Sequence, residues 1–317
     1  MGEYAVNPTT GTLDGALVRA AISATVHRVV AVPEATLQPI LCAMLAAGHV
    51  LLDGIPGVGK TLLARTIARC VDAEFRRVQF TNDLMPSDVV GSSVWRPDAG
   101  KFQFVKGPLF ANFVLADEIN RTSPRTLSCL LEAMEQGRIS VDGRTVELAA
   151  PFTVLATRNP VEFQGTFPIP EAVLDRFLVR VELGYPAAAA ERALYCGRDR
   201  EHGLEEVEPV LRREELQALQ GRCERVEVGD LAAEYAYAVV DATRRDARVA
   251  LGASPRAALS WLRTAKANAV LDGRDYVLPD DLKVMALPAL AHRIFLKEGG
   301  DAGELVREIV AATPVPR

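Results

Sequence analysis

The 317-residue sequence has few of the features that mark secreted, metal-binding or membrane proteins. Its five cysteines are scattered, odd in number and without a C-x-x-C pair, which favours reduced thiols over a disulfide framework or a zinc site. The four histidines form no ligand cluster, and no apolar stretch reaches the length of a membrane span. The amino terminus has no basic-then-apolar signal pattern. These absences predict a cytoplasmic protein with no direct membrane insertion.

The sequence also has no excess of positive charge. It contains 36 Lys and Arg against 41 Asp and Glu, for a net charge of −5. This balance argues against a nucleic acid or an anionic membrane surface as the main partner. A hydrophobic fraction of 49% and a length sufficient for two cores predict a globular, two-domain protein.

Apolar runs alternate with helical patterns through the first half of the chain. Before the first run, residues 16–47 have helical spacing, and Pro33 divides them into two helices. Alternation of this kind predicts an α/β fold with a five-stranded, mostly parallel sheet and helices on both faces. The predicted strands are 49–53, 76–80, 113–117, 152–157 and 177–183.

Helical patterns dominate the second half of the chain. They begin after the Gly184–Pro186 turn, where the composition changes. We therefore expect an α/β domain with N-terminal helices over 1–186 and an all-helical domain over 187–317. The predicted helices of the second domain are 187–202, 213–224, 230–246, 255–272, 279–296 and a tail helix near 302–311.

Two segments of the first domain predict hairpins beyond a minimal nucleotide-binding core. In 81–110, Asp98–Gly100 indicates a turn between two short strands. In 137–149, the Asp142-Gly143 pair is flanked by alternating apolar residues. Loops on a rigid scaffold often carry function, so these hairpins are either decorative or contact a substrate or partner.

The most informative stretch follows the first predicted strand. Residues 54–61 read Gly-Ile-Pro-Gly-Val-Gly-Lys-Thr, which fits the phosphate-binding P-loop pattern G-x-x-x-x-G-K-[ST]. Lys60 supplies a charge for the β- and γ-phosphates of ATP, and the Thr61 hydroxyl is placed for Mg²⁺. Free backbone amides at the start of the next helix add to the anion site. The residues expected to bind the nucleotide are Gly54, Pro56, Gly57, Val58, Gly59, Lys60, Thr61 and Leu62.

Two adjacent carboxylates end the third predicted strand. Asp117 is placed to hold Mg²⁺ together with Thr61, and Glu118 to polarise a water for attack on the γ-phosphate. An acidic cap on the following helix is the alternative explanation. The upstream P-loop favours the catalytic one.

Three further polar residues are candidates for the same reaction. Asn159 ends the next strand and either orients the attacking water or is a turn residue before proline. Arg176 precedes the fifth strand and is either an arginine finger for a neighbour's γ-phosphate or a solvated surface residue. Arg256 lies in the first turn of a helix, where the dipole disfavours cations, which indicates an anionic partner such as bound nucleotide.

Together these segments resemble the AAA+ ATPases, and more closely the MoxR family, from about residue 25 to 296. The resemblance rests on seven ordered motifs, at 54–61, 79–88, 107–111, 116–121, 130–135, 170–177 and 252–257. It implies a P-loop AAA+ core followed by an all-α lid domain.

The resemblance also implies a role for each site residue. Lys60 and Thr61 would be the Walker A pair, and Asp117 and Glu118 the Walker B pair. The remaining implied roles are sensor 1 for Asn159, arginine finger for Arg176 and sensor 2 for Arg256. Residues 81–110 would contain the insert in the second helix, and 137–149 the hairpin before sensor 1. MoxR-like ATPases generally form hexameric rings, act as chaperone-like activators and often have partners with a von Willebrand factor A domain.

Two positions depart from the family pattern. The family usually has Gly-Gln where this chain has Val30–Pro33, near the adenine, so base recognition is absent there or uses backbone contacts. It usually has Gln where this chain has Arg158, which either adds a cation beside the γ-phosphate or points outward.

The leading hypothesis is a ring-forming, Mg²⁺-dependent ATPase that remodels or activates a protein partner. The alternative is an AAA+ motor or loader acting on nucleic acid, which the acidic charge disfavours. A small-molecule kinase is disfavoured by the Asp-Glu pair and the long helical domain. A nucleotide-switched binding module with little turnover is disfavoured by Glu118.

Overall fold

The computed structural model describes residues 13–159, 167–195 and 200–316. Thirteen strands lie in these ranges: β1 (Val50–Gly54), β2 (Val71–Asp72), β3 (Phe75–Gln79), β4 (Gly91–Arg96), β5 (Lys101–Lys106), β6 (Phe113–Asp117), β7 (Arg138–Val141), β8 (Arg144–Glu147), β9 (Thr153–Arg158), β10 (Val179–Leu183), β11 (Leu211–Arg212), β12 (Val249–Leu251) and β13 (Phe295–Leu296). Five of them form the central sheet in the order β10–β1–β9–β6–β3, with every pair parallel. The predicted five-stranded sheet is confirmed, and each strand bound lies within two residues of its prediction.

The same ranges contain thirteen α-helices: α1 (Gly15–Val29), α2 (Glu34–Leu45), α3 (Lys60–Arg69), α4 (Pro86–Val90), α5 (Pro124–Gln136), α6 (Glu171–Leu174), α7 (Ala188–Tyr195), α8 (Arg200–Glu205), α9 (Arg213–Arg225), α10 (Asp230–Arg245), α11 (Pro255–Leu271), α12 (Pro279–Leu290) and α13 (Ala302–Ala312). Two short 3₁₀ turns occur at Ile119–Arg121 and Ala291–Arg293. As predicted, Pro33 separates the first two helices, since it is the N-cap of α2.

The sheet is buried on both faces, as its continuous apolar strands predict. Along β1, Val50 and Leu52 belong to one apolar core, while Leu51 belongs to a second core on the opposite face. The first core also includes α1, α2, α3 and the helices of the C-terminal half, whereas α4 and α5 contribute to the second. Helices therefore cover both faces, and the carboxyl ends of all five strands meet at one edge of the sheet.

Both predicted hairpins are present. β4 pairs with β5 across the turn at 97–100, and β7 pairs with β8 across Asp142-Gly143. The hairpins touch, because the backbone N–H of Ser93 donates to Asp142 Oδ2 at 3.2 Å. The first hairpin exposes two aromatic side chains, Trp95 and Phe102, which contact each other edge to face at 5.2 Å.

The C-terminal half is mainly helical but differs from the prediction in two details. The predicted helix at 279–296 is wrong at its end, since α12 stops at Leu290 and Phe295–Leu296 pairs with β12. A 3₁₀ turn intervenes, because buried His292 and Arg293 bond to the backbone of the α/β core. A second short pair, β2 with β11, joins the two halves. Part of the predicted helix at 187–202 lies outside the described residues.

Candidate functional site

The P-loop connects β1 to α3 at the carboxyl edge of the sheet. Gly59 is the N-cap of α3 with φ +93°, a conformation that glycine adopts without a steric penalty. A Cβ on Gly54 would lie 2.4 Å from the carbonyl oxygen of Leu183, so only glycine fits there. The loop therefore directs its backbone and the first amides of α3 towards one side, which makes an anion cradle.

Lys60 and Thr61 begin α3 and place their side chains on this cradle. The Lys60 ammonium donates to the carbonyl oxygen of Ile55 at 2.8 Å and to that of Gly54. The ammonium is thus held over the backbone of the P-loop. A cation in this position adds charge to the dipole of the helix.

Asp117 ends β6 with its side chain only 7% exposed. Its carboxylate accepts from the Thr61 hydroxyl at 3.2 Å and from the Thr157 hydroxyl at 2.5 Å. Arg77 on β3 donates to the same carboxylate at 2.7 Å. A carboxylate oxygen next to a hydroxyl oxygen is the donor set that Mg²⁺ prefers, so Thr61 and Asp117 fit this ion.

Glu118 follows with a left-handed backbone, at φ +58°. Its N–H donates to the Thr157 hydroxyl at 2.9 Å, so Thr157 bonds to both members of the acidic pair. One oxygen of the Glu118 carboxylate accepts from Gln79 at 2.9 Å and lies 2.9 Å from Arg121 Nε. Two side chains from neighbouring segments therefore hold the Glu118 carboxylate, and Thr157 holds its backbone.

Asn159 lies directly after β9 and is buried. Its carbonyl oxygen accepts from Asn120 Nδ2 at 3.2 Å. A cavity of about 470 Å³ brings the side chains of this edge together, and its lining includes Lys60, Thr61, Asp117, Glu118 and Asn159. The P-loop, the Thr61 hydroxyl, two carboxylates and an asparagine thus surround one space.

Arg176 and Arg256 lie together at a different place. Neither is among the residues that line this cavity in the described part of the chain. Arg176 Nη2 donates to Glu135 Oε2 at 3.0 Å, and Arg256 Nη2 donates to Glu135 Oε1 at 3.1 Å. Within its own subunit Arg256 therefore lies against carboxylates, namely Glu135 of α5 and Asp175, whose Oδ2 is 3.6 Å from Arg256 Nε.

Arg158 neither lines the cavity beside the P-loop nor points into solvent. Its Nε donates to Asp53 Oδ1 at 2.8 Å, and its Nη2 bonds to the second carboxylate oxygen. Arg180 Nε lies 2.6 Å from Asp53 Oδ2. The departure at this position thus forms an ion triad beside the strand that leads into the P-loop.

A second cavity, of about 590 Å³, adjoins the P-loop at Val58. It is mainly apolar and lies between the Val30–Pro33 loop and the Leu183–Ala187 segment. His27 bonds through Nε2 to the carbonyl oxygen of Val32 at 2.9 Å and so fixes the loop. The Val30–Pro33 loop, one of the two departures from the family pattern, therefore lines a mainly apolar pocket beside the P-loop.

Sequence reasoning missed several residues that hold these groups. Thr157, Arg77 and Gln79 contact the acidic pair, and Glu135 contacts both arginines. The signal for Thr157 was its position opposite Asp117 on a neighbouring parallel strand. The Glu135 contacts had no signal, since they depend on how three separate segments pack.

Comparisons with known proteins agree with this geometry. Residues 49–179 match the ATPase family associated with various cellular activities (AAA), and residues 241–312 match the AAA lid domain. The chain is 47% identical over 281 residues to uncharacterized protein YeaC of Bacillus subtilis, which covers 87% of this chain and 88% of that protein. It is 38% identical over 296 residues to Chaperone MoxR1 of Mycobacterium tuberculosis, covering 90% and 78%.

A solved structure extends the likeness to the fold. The crystal structure of a proposed ATPase from Cytophaga hutchinsonii superposes with a TM-score of 0.85 at 33% identity, covering 96% of this chain and 97% of that one. Within the described residues, no helix is long and apolar enough to cross a membrane. On its sequence, its fold and its relatives, the chain belongs to the MoxR family of AAA+ ATPases, with an α/β P-loop core followed by an all-α lid.

Proposed function

We propose that the chain hydrolyses Mg-ATP at the carboxyl edge of the sheet and uses the reaction to remodel or activate a protein partner. The observation that carries the proposal is the single cavity shared by Lys60, Thr61, Asp117, Glu118 and Asn159. A second carboxylate beside the Mg²⁺ ligand is placed to orient and polarise a water, which nucleotide binding alone does not need.

The P-loop residues from Gly54 to Leu62 would bind the phosphates through backbone amides, with Lys60 on the β- and γ-phosphates. Thr61 and Asp117 would hold Mg²⁺, which when bound neutralises charge on the phosphates. Arg77 and Thr157 already bond the Asp117 carboxylate, which fixes its orientation towards Thr61. A ligand fixed by neighbours in this way costs less to order when the ion binds.

Glu118 would orient the attacking water, and Asn159 would contact the γ-phosphate or that water. The Glu118 carboxylate bonds to Gln79 and Arg121. These two contacts leave its other oxygen available for a water.

Arg176 would act on nucleotide bound by a neighbouring subunit. It does not line the phosphate cavity of its own chain, so a contribution to catalysis requires a second copy. A ring satisfies this need at every interface, and we propose a hexamer. An isolated subunit should then hydrolyse ATP slowly.

The adenine would occupy the apolar cavity beside Val58. The Val30–Pro33 loop lines it without the Gly-Gln pair that the family usually has. Apolar side chains can bind a base by contact with its faces, and backbone groups of the loop can bond its edge. We therefore propose that base recognition uses backbone contacts here.

The two hairpins would contact the protein partner. They touch each other and expose Trp95 and Phe102, and exposed aromatic side chains are enriched where proteins bind. We also propose that the partner carries a von Willebrand factor A domain. The chain itself would be cytoplasmic, and its two domains would divide between residues 186 and 187. A nucleic-acid motor is not favoured, since the matched relatives include a chaperone.

The test compares wild type with Glu118→Gln, which keeps the size of the side chain and removes its charge. We expect the variant to bind fluorescent ATP with unchanged affinity while steady-state hydrolysis falls by about a hundredfold or more. Size-exclusion chromatography with and without ATP reports the ring. Full turnover by Glu118→Gln would refute the catalytic role, and loss of ATP binding by Lys60→Ala is the positive control for the site.

A further inference from the structure

Two arginines from distant parts of the chain share one carboxylate. Arg176 precedes β10, and Arg256 lies in the first turn of α11, 80 positions later. Each donates to a different oxygen of Glu135, at 3.0 Å and 3.1 Å. A carboxylate bridging two guanidinium groups holds both at a defined separation.

Glu135 is poorly placed to stabilise its own helix. It lies in the last turn of α5, next to Gln136 and the C-cap Gly137. The negative end of the helix dipole disfavours an acidic residue there. The hydrogen bond from Arg256 and the charge of Arg176 nevertheless lower the pKa of Glu135, so the carboxylate stays ionised through its contacts with the arginines.

The ion pair between Arg256 and Glu135 contributes little to folding. The side chains of Arg256 and Glu135 are 51% and 39% exposed, and exposed ion pairs add at most a small increment to stability. A contact that gains little free energy can still fix geometry. Glu135 therefore matters because it fixes the positions of two long, flexible arginine side chains.

A second carboxylate anchors this arrangement to the lid. Asp175 Oδ2 lies 3.6 Å from Arg256 Nε, and Asp175 Oδ1 accepts from Arg293 at 2.8 Å. Arg293 is buried and also donates to the carbonyl oxygen of Phe177 at 2.7 Å. The three guanidinium groups outnumber the two carboxylates, so this cluster of five side chains retains one positive charge for an anion from outside the subunit.

Each shared arginine keeps donors for that anion. A guanidinium has five N–H groups, and each of these two uses one of them on Glu135. The Nε of Arg176 is buried and that of Arg256 faces Asp175, so the donors left for the anion are on the remaining Nη groups. The bridge can therefore persist while the arginines bind phosphate oxygens. Neither arginine has to leave Glu135 in order to bind phosphate.

We propose that Glu135 is a positioning residue that holds Arg176 and Arg256 as one unit, ready for the phosphates of nucleotide on a neighbouring subunit. This inference rests on the proposed ATPase and on the action of Arg176 in trans. Glu135 itself would contact neither the nucleotide nor the attacking water. Its removal should lower kcat and leave KM for ATP unchanged, because the nucleotide binds to the P-loop of another subunit.

The first experiment measures kcat and KM for Glu135→Ala and Glu135→Gln in the assembled ring. Misplacement of catalytic groups by about 1 Å costs up to about a hundredfold, so we expect kcat of Glu135→Ala to fall about tenfold or more. Glu135→Gln keeps one acceptor oxygen and should lose less. The control is Glu132→Ala, one turn earlier on α5, which removes a carboxylate that contacts neither arginine in the described structure.

Two outcomes contradict the inference. An unchanged or raised kcat in Glu135→Ala would show that the carboxylate does not position the arginines or that it restrains them. Failure of the ATPase proposal looks different: wild type would not turn over, or Arg176→Ala would match wild type. If Arg176→Ala is slow and Glu135→Ala is not, only the inference fails.

A double variant separates positioning from general structural damage. The background is the double variant that carries both Arg176→Ala and Arg256→Ala. If Glu135 acts through the arginines, adding Glu135→Ala to this double variant should not lower its kcat any further. An additional loss as large as the single-variant effect would contradict the inference. Mixed rings give a second readout: Lys60→Ala subunits, whose arginines are intact, should restore turnover to Glu135→Ala subunits, whose P-loops are intact.

Discussion

Arg158 makes two contacts with the buried carboxylate of Asp53, the residue directly before the P-loop. Parallel pairing of β1 with β9 places the two residues directly opposite each other. Arg180 is the second cation on this carboxylate, at 2.6 Å. The ion triad therefore connects the strand of the P-loop, the strand before Asn159 and the strand after Arg176.

Arg158→Ala should destabilise the fold and leave nucleotide binding intact. Its side chain is 20% exposed and Asp53 is 1% exposed, so the change leaves a buried carboxylate with Arg180 alone. We expect the free energy of unfolding to fall by about 1–3 kcal/mol in urea titrations. Arg180→Ala, on the same carboxylate, is the matched comparison.

The opposite pattern would refute this role for Arg158. If Arg158→Ala weakened ATP binding or slowed hydrolysis without loss of stability, the side chain would act at the γ-phosphate. Measuring ATP affinity well below the unfolding temperature separates the two effects.

Thr157→Val should weaken Mg²⁺-dependent activity with little change of shape. The Thr157 hydroxyl donates to Asp117 at 2.5 Å and accepts from the N–H of Glu118 at 2.9 Å, so its loss frees both groups. Loss of a group that orients a metal ligand typically costs about tenfold to a hundredfold in affinity or activity. The concentration of Mg²⁺ at half-maximal ATPase rate is the measurement.

Thr153→Val is the control for this change. Thr153 is buried on the same strand, and its hydroxyl has no hydrogen-bond partner among the described residues. The control should keep the wild-type Mg²⁺ dependence. Equal effects of the two substitutions would show that β9 packing, rather than the Thr157 hydroxyl, is responsible.

Because His49 is buried, the free energy of unfolding should be lower in mild acid than at neutral pH. Burial lowers the pKa of His49 from its ordinary value of 6.5 to about 4, and its Nδ1 accepts from the N–H of Val154 at 3.0 Å. The unfolded chain therefore binds a proton between pH 6.5 and pH 4 that the folded chain does not. The free energy of unfolding should fall across this window, by on the order of 3 kcal/mol, and should not depend on His49 above it.

Denaturant titrations at pH 7.5, 6 and 5 test this prediction. Burial also lowers the pKa of His292, which adds a loss in the same direction. His49→Gln, which keeps a donor and an acceptor, should make the pH dependence shallower, whereas His27→Gln changes an exposed histidine and serves as control. A slope in His49→Gln equal to that of wild type would exclude His49 as the cause.

Local patterns in the sequence were sufficient to predict the sheet and the P-loop. Strand periodicity, the Asp-Gly turn at 142–143 and the loop glycines depend on neighbouring residues, and each has its predicted place. The helix predicted to 296 failed because residues beyond Leu290 bond to the core and to β12. Contacts between distant segments replaced a local preference there.

The contacts around the candidate site could not be predicted for the same reason. Arg158 meets Asp53 across 105 positions, and Arg256 meets Glu135 across 121. Strand register decides the first contact, and packing of α5 against the lid decides the second. The roles of all the site residues, from the P-loop to Asn159, Arg176 and Arg256, stay predictions, as does the domain division at 186.

The central claim is that each ATP site is completed by a neighbouring subunit, and mixing two inactive variants tests it most directly. Lys60→Ala lacks the P-loop cation and Arg176→Ala lacks the finger, so each alone should lose about a hundredfold or more in turnover. In an equimolar mixture with random assembly, roughly a quarter of interfaces join an intact P-loop to an intact Arg176. The account predicts recovery of roughly that fraction of wild-type turnover. A mixture that assembles into shared rings and stays as inactive as its components would contradict it.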